Sequence, residues 1–348
     1  MKKKLIATAT GAVLTLALAA CSHGGSNLDD VQYNMNQATA EPSVSFATPF
    51  AAKDTSTHVI EQGNGDDIKE GDNLLIEATV FKGDDGSKVG STYTQAPILI
   101  PVGQTLKDSA PELYDVLTTS KVGASFSYST NMVAGGDASS NASSSPSPVA
   151  DGTATNVEVY TVKSKLPTEA SGKQTPQEDI NPALKSFTIG KDGKADLKLA
   201  DDRGENPTKL VSQDLITGDG EKVKKTDTVY VKYQGVRWED GKAFDGNYGS
   251  DPATFNLQGV LQGWTDGLAG KTVGSRVLLI VPEDQAYGKD AQNGAPSGPL
   301  VFVVDILGAA DNPEAAAAAT ATPTASASST SSATASASAT ASASETKK

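Results

Sequence analysis

"GVLQGWTDGLAGKTVGSRVLLIVPEDQAYG" runs from Gly259 to Gly288 and carries Trp264, one of only two tryptophans in 348 residues. Val260, Leu261, Trp264 and Leu268 fall at helical spacing in a segment about two turns long. A glycine-punctuated turn follows, then the apolar run "SRVLLIVP", then a loop that closes on Tyr287 and Gly288. In a chain with 5% aromatic residues, a tryptophan and a tyrosine flank one buried strand. Either they are ordinary core, or they are two walls of one pocket. This stretch alone leaves both readings open.

Working outward, "TVYVKYQGV" alternates, with Val229, Val231 and Tyr233 on one face. Glu239-Asp240-Gly241 is a hairpin turn signal. "SRVLLIVP" and "LVFVVDIL" are too dense in Val, Leu and Ile to be strands exposed on both faces. The expectation is an antiparallel sheet wrapped around one short helix, an α+β arrangement.

The same pattern occurs twice. "GDDIKEGDNLLIEATVFKGDDGSKVGSTY" (Gly65–Tyr93) lies over "GEKVKKTDTVYVKYQGVRWEDGKAFDGNY" (Gly220–Tyr248) without a gap, 155 residues apart. Asp72 matches Asp227, Asp85-Gly86 matches Asp240-Gly241, and Pro97 matches Pro252. By Val122-Gly123 and Val273-Gly274 the offset has become 151, so the first copy is four residues longer there. The reading is two related domains, residues 43–165 and 180–309, joined by a polar linker at 166–179. "GGDASSNASSSPSPVADGTAT" reads as a long disordered loop before the last strand of the first copy. Residues 21–42 read as a flexible tether and 310–348, rich in Ala, Ser and Thr, as a tail with no apolar period to pack.

The N-terminus reads as a signal peptide over residues 1–20: "MKKK", an apolar stretch too short for a membrane span, and "LAAC" at Leu18–Cys21. "LAAC" resembles the bacterial lipobox, which implies lipidation of Cys21, the only cysteine, and an anchored chain on the outer face of the cell membrane. The net charge of −13, with no basic stripe, argues against nucleic acid as a partner.

The two histidines, His23 and His58, have no apparent metal or triad partner, and there is no cysteine pair, GxSxG or phosphate loop. Zinc, nucleophilic and nucleotide chemistry therefore lose their usual residues, and no cofactor or metal is called for. An apolar, aromatic pocket with one acid beside it remains. At this point the second copy, Lys209 to Gly308, resembles the FKBP-type peptidyl-prolyl isomerases. The shared features are Tyr-x-Gly at Tyr233, the Asp-Gly-x-x-Phe-Asp hairpin at Asp240–Asp245, the Gly-Trp helix, the Val-Gly turn, the Tyr-Gly loop and the last strand with Phe302. The resemblance implies a pocket with Trp264 as its floor and Tyr233, Phe244, Asp245, Val260, Leu261, Tyr287 and Phe302 as its walls. Within it, Tyr233, Phe244, Asp245 and Tyr287 would act on the substrate, while Val260, Leu261, Trp264 and Phe302 would bind it. Taken singly, Trp264 or Phe302 reads as core and Asp245 as a turn acid; the combination carries the pocket reading.

Two departures from the family pattern imply a more open pocket. Ala253 stands at an aromatic wall position, and the loop "GKDAQNGAPSG" is short and lacks a bulky apolar tip. In the first copy Ala78, Val89, Gly90 and Leu113 stand opposite Tyr233, Phe244, Asp245 and Trp264, so that copy reads as a degenerate FKBP-like domain. The functional expectation is a lipid-anchored prolyl isomerase acting on proline-containing secreted or surface polypeptides. The alternative is an extracytoplasmic binding or holdase module with a vestigial pocket. A transporter's substrate-binding lipoprotein is more distant, because it needs alternating βαβ units and helix is nearly absent here.

Overall fold

The computed structural model describes residues 26–35, 41–135, 144–289, 291–292 and 294–313, with side chains left out at 133–135 and 144–146. The expected signal peptide, Cys21 and the tail beyond residue 313 lie outside the described residues.

Two sheets share one strand order. The first unit contains β1 (Gln32–Asn34), β2 (Ser43–Ser45), β3 (Ser56–Gln62), β4 (Asn73–Phe81), β5 (Lys88–Ser91) and β6 (Ile98–Pro101). It continues with α1 (Gln104–Ser109), α2 (Pro111–Thr118), β7 (Ala124–Ser129), β8 (Met132–Gly135), β9 (Ser144–Pro148) and β10 (Val157–Lys165). The second contains β11 (Lys173–Gln174), β12 (Leu184–Ile189), β13 (Ala195–Leu199), β14 (Val211–Thr217) and β15 (Thr228–Arg237). It ends with β16 (Ala243–Gly246), β17 (Ala253–Asn256), α3 (Gln262–Leu268), β18 (Arg276–Val281) and β19 (Leu300–Ala310). The orders are β3-β7-β10-β4-β5, with β6 on β4, and β14-β18-β19-β15-β16, with β17 on β15 and β11 added beside β14. All the pairings are antiparallel. The four extra residues of the first copy fall at α1, so that unit has two consecutive helices where the second has one.

In the second unit strand alternation sorts the side chains onto two faces. Val229, Val231, Tyr233, Val277, Leu279, Phe302, Val304 and Ile306 pack against Trp264 and Leu268 of α3. The helix lies close because Gly263 carries no side chain: a Cβ there would stand 2.3 Å from Val281 Cγ1. On the other face Val236, Trp238, Leu278, Ile280, Val301 and Val303 pack against Leu184, Leu197 and Leu199 of the β12–β13 ribbon. Each fully buried aliphatic side chain contributes roughly 1.5–3 kcal/mol. The ribbon therefore accounts for strands that are apolar on both faces. It is tied down by Arg203, whose guanidinium donates to the carbonyls of Ala200 (2.9 Å), Trp238 (2.8 Å from Nε) and Glu239 (2.7 Å).

The first unit repeats this cover with different chemistry. The paired β1 and β2 lie over the outer face of the sheet, where Leu28, Val31, Phe50 and Ala52 cluster with Val157. That face also carries Ser125, Ser127, Ser129 and Thr79, all buried, with hydroxyl pairs Tyr33–Ser127 (2.6 Å) and Ser125–Thr161 (3.0 Å). The tether expectation therefore fails over residues 27–34, which fold onto the sheet. Isolated apolar residues such as Leu28 and Val31 give no readable period, yet each finds a buried seat. The linker expectation fails too: Leu166 is buried, Ala170 N–H donates to Asp305 (3.2 Å), and Lys173–Gln174 pair with β14. The expected disordered loop is partly paired, because β8 and β9 run antiparallel. Between the units, Tyr230 is fully buried against Leu75 and Leu166, and its hydroxyl donates to Pro97 O at 2.5 Å.

Candidate active site

A cleft of about 550 Å³ opens at one end of the second unit, lined by residues from four strands and loops around α3. Trp264, 4% exposed, forms its floor. Three rings meet the indole edge to face: Tyr233 at 5.3 Å, Phe255 at 5.4 Å and Phe302 at 5.3 Å between centroids. Such pairs contribute about 0.5–1.5 kcal/mol each beyond area burial. The indole Nε1 is buried with no acceptor among the described residues.

Polar groups stand at the mouth. Tyr233 Oη donates to Asp245 Oδ2 at 2.7 Å, and Gly246 N–H donates to Asp245 Oδ1 at 2.9 Å. Burial, with Asp245 as the second cause, pushes the Tyr233 hydroxyl well above its ordinary value, so it stays a donor. Tyr287 is 46% exposed and its hydroxyl is also raised, by burial first and then by Asp245. Leu261 caps α3, and no described residue accepts from its backbone N–H. The site thus offers an aromatic floor, a carboxylate and free N–H and O–H donors. Among the described residues no group of three or more His, Cys, Asp or Glu is arranged to hold a metal ion.

Tyr233, Asp245, Val260, Leu261, Trp264, Tyr287 and Phe302 all line this cleft. Phe244 does not. The β15–β16 ladder shifts register between Gly235, opposite Asp245, and Val236, opposite Ala243. This bulge leaves Phe244 without a partner and turns it onto Phe302, 5.7 Å away. Gly235 makes room for both rings, since a Cβ there would lie 2.8 Å from Phe302 and 2.9 Å from Phe244. Phe255 and Ala286 line the cleft and were not anticipated. The signal for Phe255 was strand alternation, which puts it on the same face as Ala253. Val260 and Leu261 precede the helix, which begins at Gln262.

The corresponding place in the first unit is filled differently. Phe81 pairs with Val157 as Val236 pairs with Val301, which sets Glu158 at the position of Phe302 and Tyr160 at that of Val304. Tyr160 hydrogen-bonds Glu158 and stacks on Phe126 at 5.4 Å, beside Tyr128. Burial raises the Glu158 carboxyl above its ordinary value. Leu113 is buried in α2, Ala78 lies on β4, and Val89 is 56% exposed. No aromatic cleft is assembled from these residues.

The family model for FKBP-type peptidyl-prolyl cis-trans isomerases matches residues 219–307. FkpA of Escherichia coli K12, itself an FKBP-type isomerase by name, is 40% identical over 124 residues, covering 34% of this chain and 46% of that protein. The match thus spans less than half of that relative. A probable FK506-binding protein of Corynebacterium glutamicum is 36% identical over 108 residues, covering 30% of this chain and 92% of that protein. An FK506-binding protein of Streptomyces anulatus is 37% identical over 110 residues, covering 30% and 89%. Among solved structures, the crystal structure of FkpA from Escherichia coli aligns at 41% identity over 31% of this chain and 52% of that one, with a TM-score of 0.29.

Proposed function

The chain belongs to the FKBP-type peptidyl-prolyl cis-trans isomerase family, and on that premise we propose that its second unit catalyses rotation about Xaa-Pro bonds of polypeptides outside the cytoplasm. The observation that carries the proposal is the convergence of Tyr233, Phe255 and Phe302 on the buried indole of Trp264, with Asp245, Tyr287 and the Leu261 N–H at the rim.

The chemistry needs no nucleophile. Resonance sets a barrier of about 18–20 kcal/mol to rotation about a peptide bond. Xaa-Pro bonds still populate both isomers, and they exchange slowly. A planar amide is more polar than its twisted transition state. An apolar aromatic box that seats the proline ring on Trp264 and displaces water from it therefore favours the twisted form. The Leu261 N–H and the Tyr287 hydroxyl hold substrate carbonyls, and Asp245, fixed by Tyr233, faces the reacting carbonyl carbon. Each tenfold in rate needs about 1.4 kcal/mol, so a few such contacts suffice.

In the same reading, Cys21 is lipidated after removal of residues 1–20, which holds the chain on the outer face of the membrane, and secreted or surface proteins are the clients. The first unit is a non-catalytic member of the pair, a reading supported by Glu158 in the place of Phe302 and Ala78 in that of Tyr233. A protease-coupled assay of the full chain on an Xaa-Pro peptide tests the proposal. Acceleration that disappears on blocking the cleft is expected; no acceleration leaves the holdase alternative.

A further inference from the structure

One edge of β15 has a gap at the site. β16 pairs with Gln234–Val236 and β17 with Thr228–Val231, so Lys232 and Tyr233 face no strand on that side. Asn247 fills the gap with its side chain. Its Oδ1 accepts the Tyr233 N–H at 2.7 Å, its Nδ2 donates to Val231 O and to Asp251 O at 3.1 Å each, and its own N–H donates to Tyr233 O at 3.0 Å. The buried N–H of Tyr233 would otherwise lack an acceptor on this edge. The first unit has the same plug at the equivalent position: Thr92 Oγ1 accepts the Ala78 N–H at 2.9 Å, and Thr92 N–H donates to Ala78 O at 2.9 Å.

The outer end of the plug is gripped by the cover ribbon, which lies outside the family match. Tyr248 is buried with its ring 5.4 Å from Phe187 of β12, and a Cβ on Gly193, at the ribbon tip, would lie 3.0 Å from Gly249 Cα. Asn247 therefore sits between a fixed loop and the two residues that meet at the cleft mouth. It holds Tyr233 directly, and Asp245 is two residues before it in the chain. The Tyr233–Asp245 bond at 2.7 Å joins these two arms.

We propose that Asn247 is a positioning residue for the isomerase site, setting the Tyr233 phenol against Asp245 by closing the β15 edge; this rests on the function proposed above. Its effect passes through Tyr233 and not through contact with substrate.

The test is a double-mutant cycle in the full chain, with kcat/KM on an Xaa-Pro peptide and near-ultraviolet circular dichroism to verify folding. N247A should lower kcat/KM at least tenfold, mainly in kcat. In the Y233F background the same change should cost less than threefold. N247T, which copies the plug of the first unit, should stay within threefold of the unsubstituted chain. A folded N247A within threefold of that chain overturns the proposal, as does a full tenfold loss in the Y233F background or an N247T as poor as N247A. If N247A does not fold, N247T against N247V carries the test, because the two share a shape and differ in the hydroxyl that accepts the N–H. Failure of both N247A and N247V to fold while N247T folds assigns Asn247 to stability alone and overturns the proposal. An inactive unsubstituted chain defeats the proposed function itself; an active one with any of the contrary results defeats only this inference.

Discussion

Trp264→Leu removes the flat floor of the cleft while keeping the position apolar. Leucine is compatible with a helix packed on this kind of sheet, because Leu113 occupies the matching place in α2 at 8% exposure. The change deletes three edge-to-face contacts at 5.3–5.4 Å. At about 0.5–1.5 kcal/mol each, these amount to about 1.5–4.5 kcal/mol of stability, and incomplete collapse of the site adds to the loss. The melting temperature should fall, yet the domain should remain folded at assay temperature, as checked by near-ultraviolet circular dichroism. If the ring is the surface on which the proline rests, kcat/KM in the protease-coupled assay should fall at least about tenfold, equivalent to about 1.4 kcal/mol of transition-state stabilisation. A folded W264L protein with undiminished kcat/KM would refute the reasoning and reduce Trp264 to core.

Residues 166–313 alone should accelerate Xaa-Pro isomerisation and residues 26–165 should not; equal rates from both fragments would contradict the division of roles drawn from Trp264 and Leu113. Cys21→Ser should move the protein from the membrane to the soluble fraction, and unchanged fractionation would contradict the lipid anchor. The Tyr287 hydroxyl is raised by burial and by Asp245, so it keeps its proton, and with it its donor function, beyond the ordinary tyrosine value of about 10. kcat/KM should therefore stay level between pH 7 and about 10. A decline with an apparent pKa below 10 that vanishes in Y287F would show that sign to be wrong.

Strand alternation and the two internal matches were legible because they are local and periodic. Alternation set Tyr233 and helical spacing set Trp264, while Phe302 and the pocket that the three share were implied by the family resemblance; the sheet then brings them together. The direction of Phe244 was not legible, because it depends on a bulge opposite Val236, and a one-residue shift in pairing is silent in a linear pattern. Phe255 was within reach, since Ala253 two residues earlier had already been assigned to the wall. The cover ribbons were harder to read. "LKSFTIGKDGKADLKL" has Asp192-Gly193 as a turn signal, but its leucines are too sparse to announce a buried face. Residues 27–34 carry still less signal: their order comes from tertiary partners such as Phe50 and Val157. The plug at Asn247 could not be foreseen, because a side chain that substitutes for a strand is visible only once the gap beside it is known.

The cover ribbons also record a history. Asn27 and Asn181 begin their segments with the same turn, each side-chain oxygen accepting the N–H two residues on, at 3.1 and 3.0 Å. Each segment then forms a two-stranded ribbon over the back of its own sheet. A single duplication of a unit that already possessed both ribbon and sheet accounts for this. The isomerase sheet alone was not what was copied. The two units differ in what they bury: serines and threonines line one back face and leucine, isoleucine and valine the other, and the aromatic ring around Trp264 stands in the second unit. What recurs along this polypeptide is therefore ribbon and sheet together, a larger unit than the span matched by the isomerase family model.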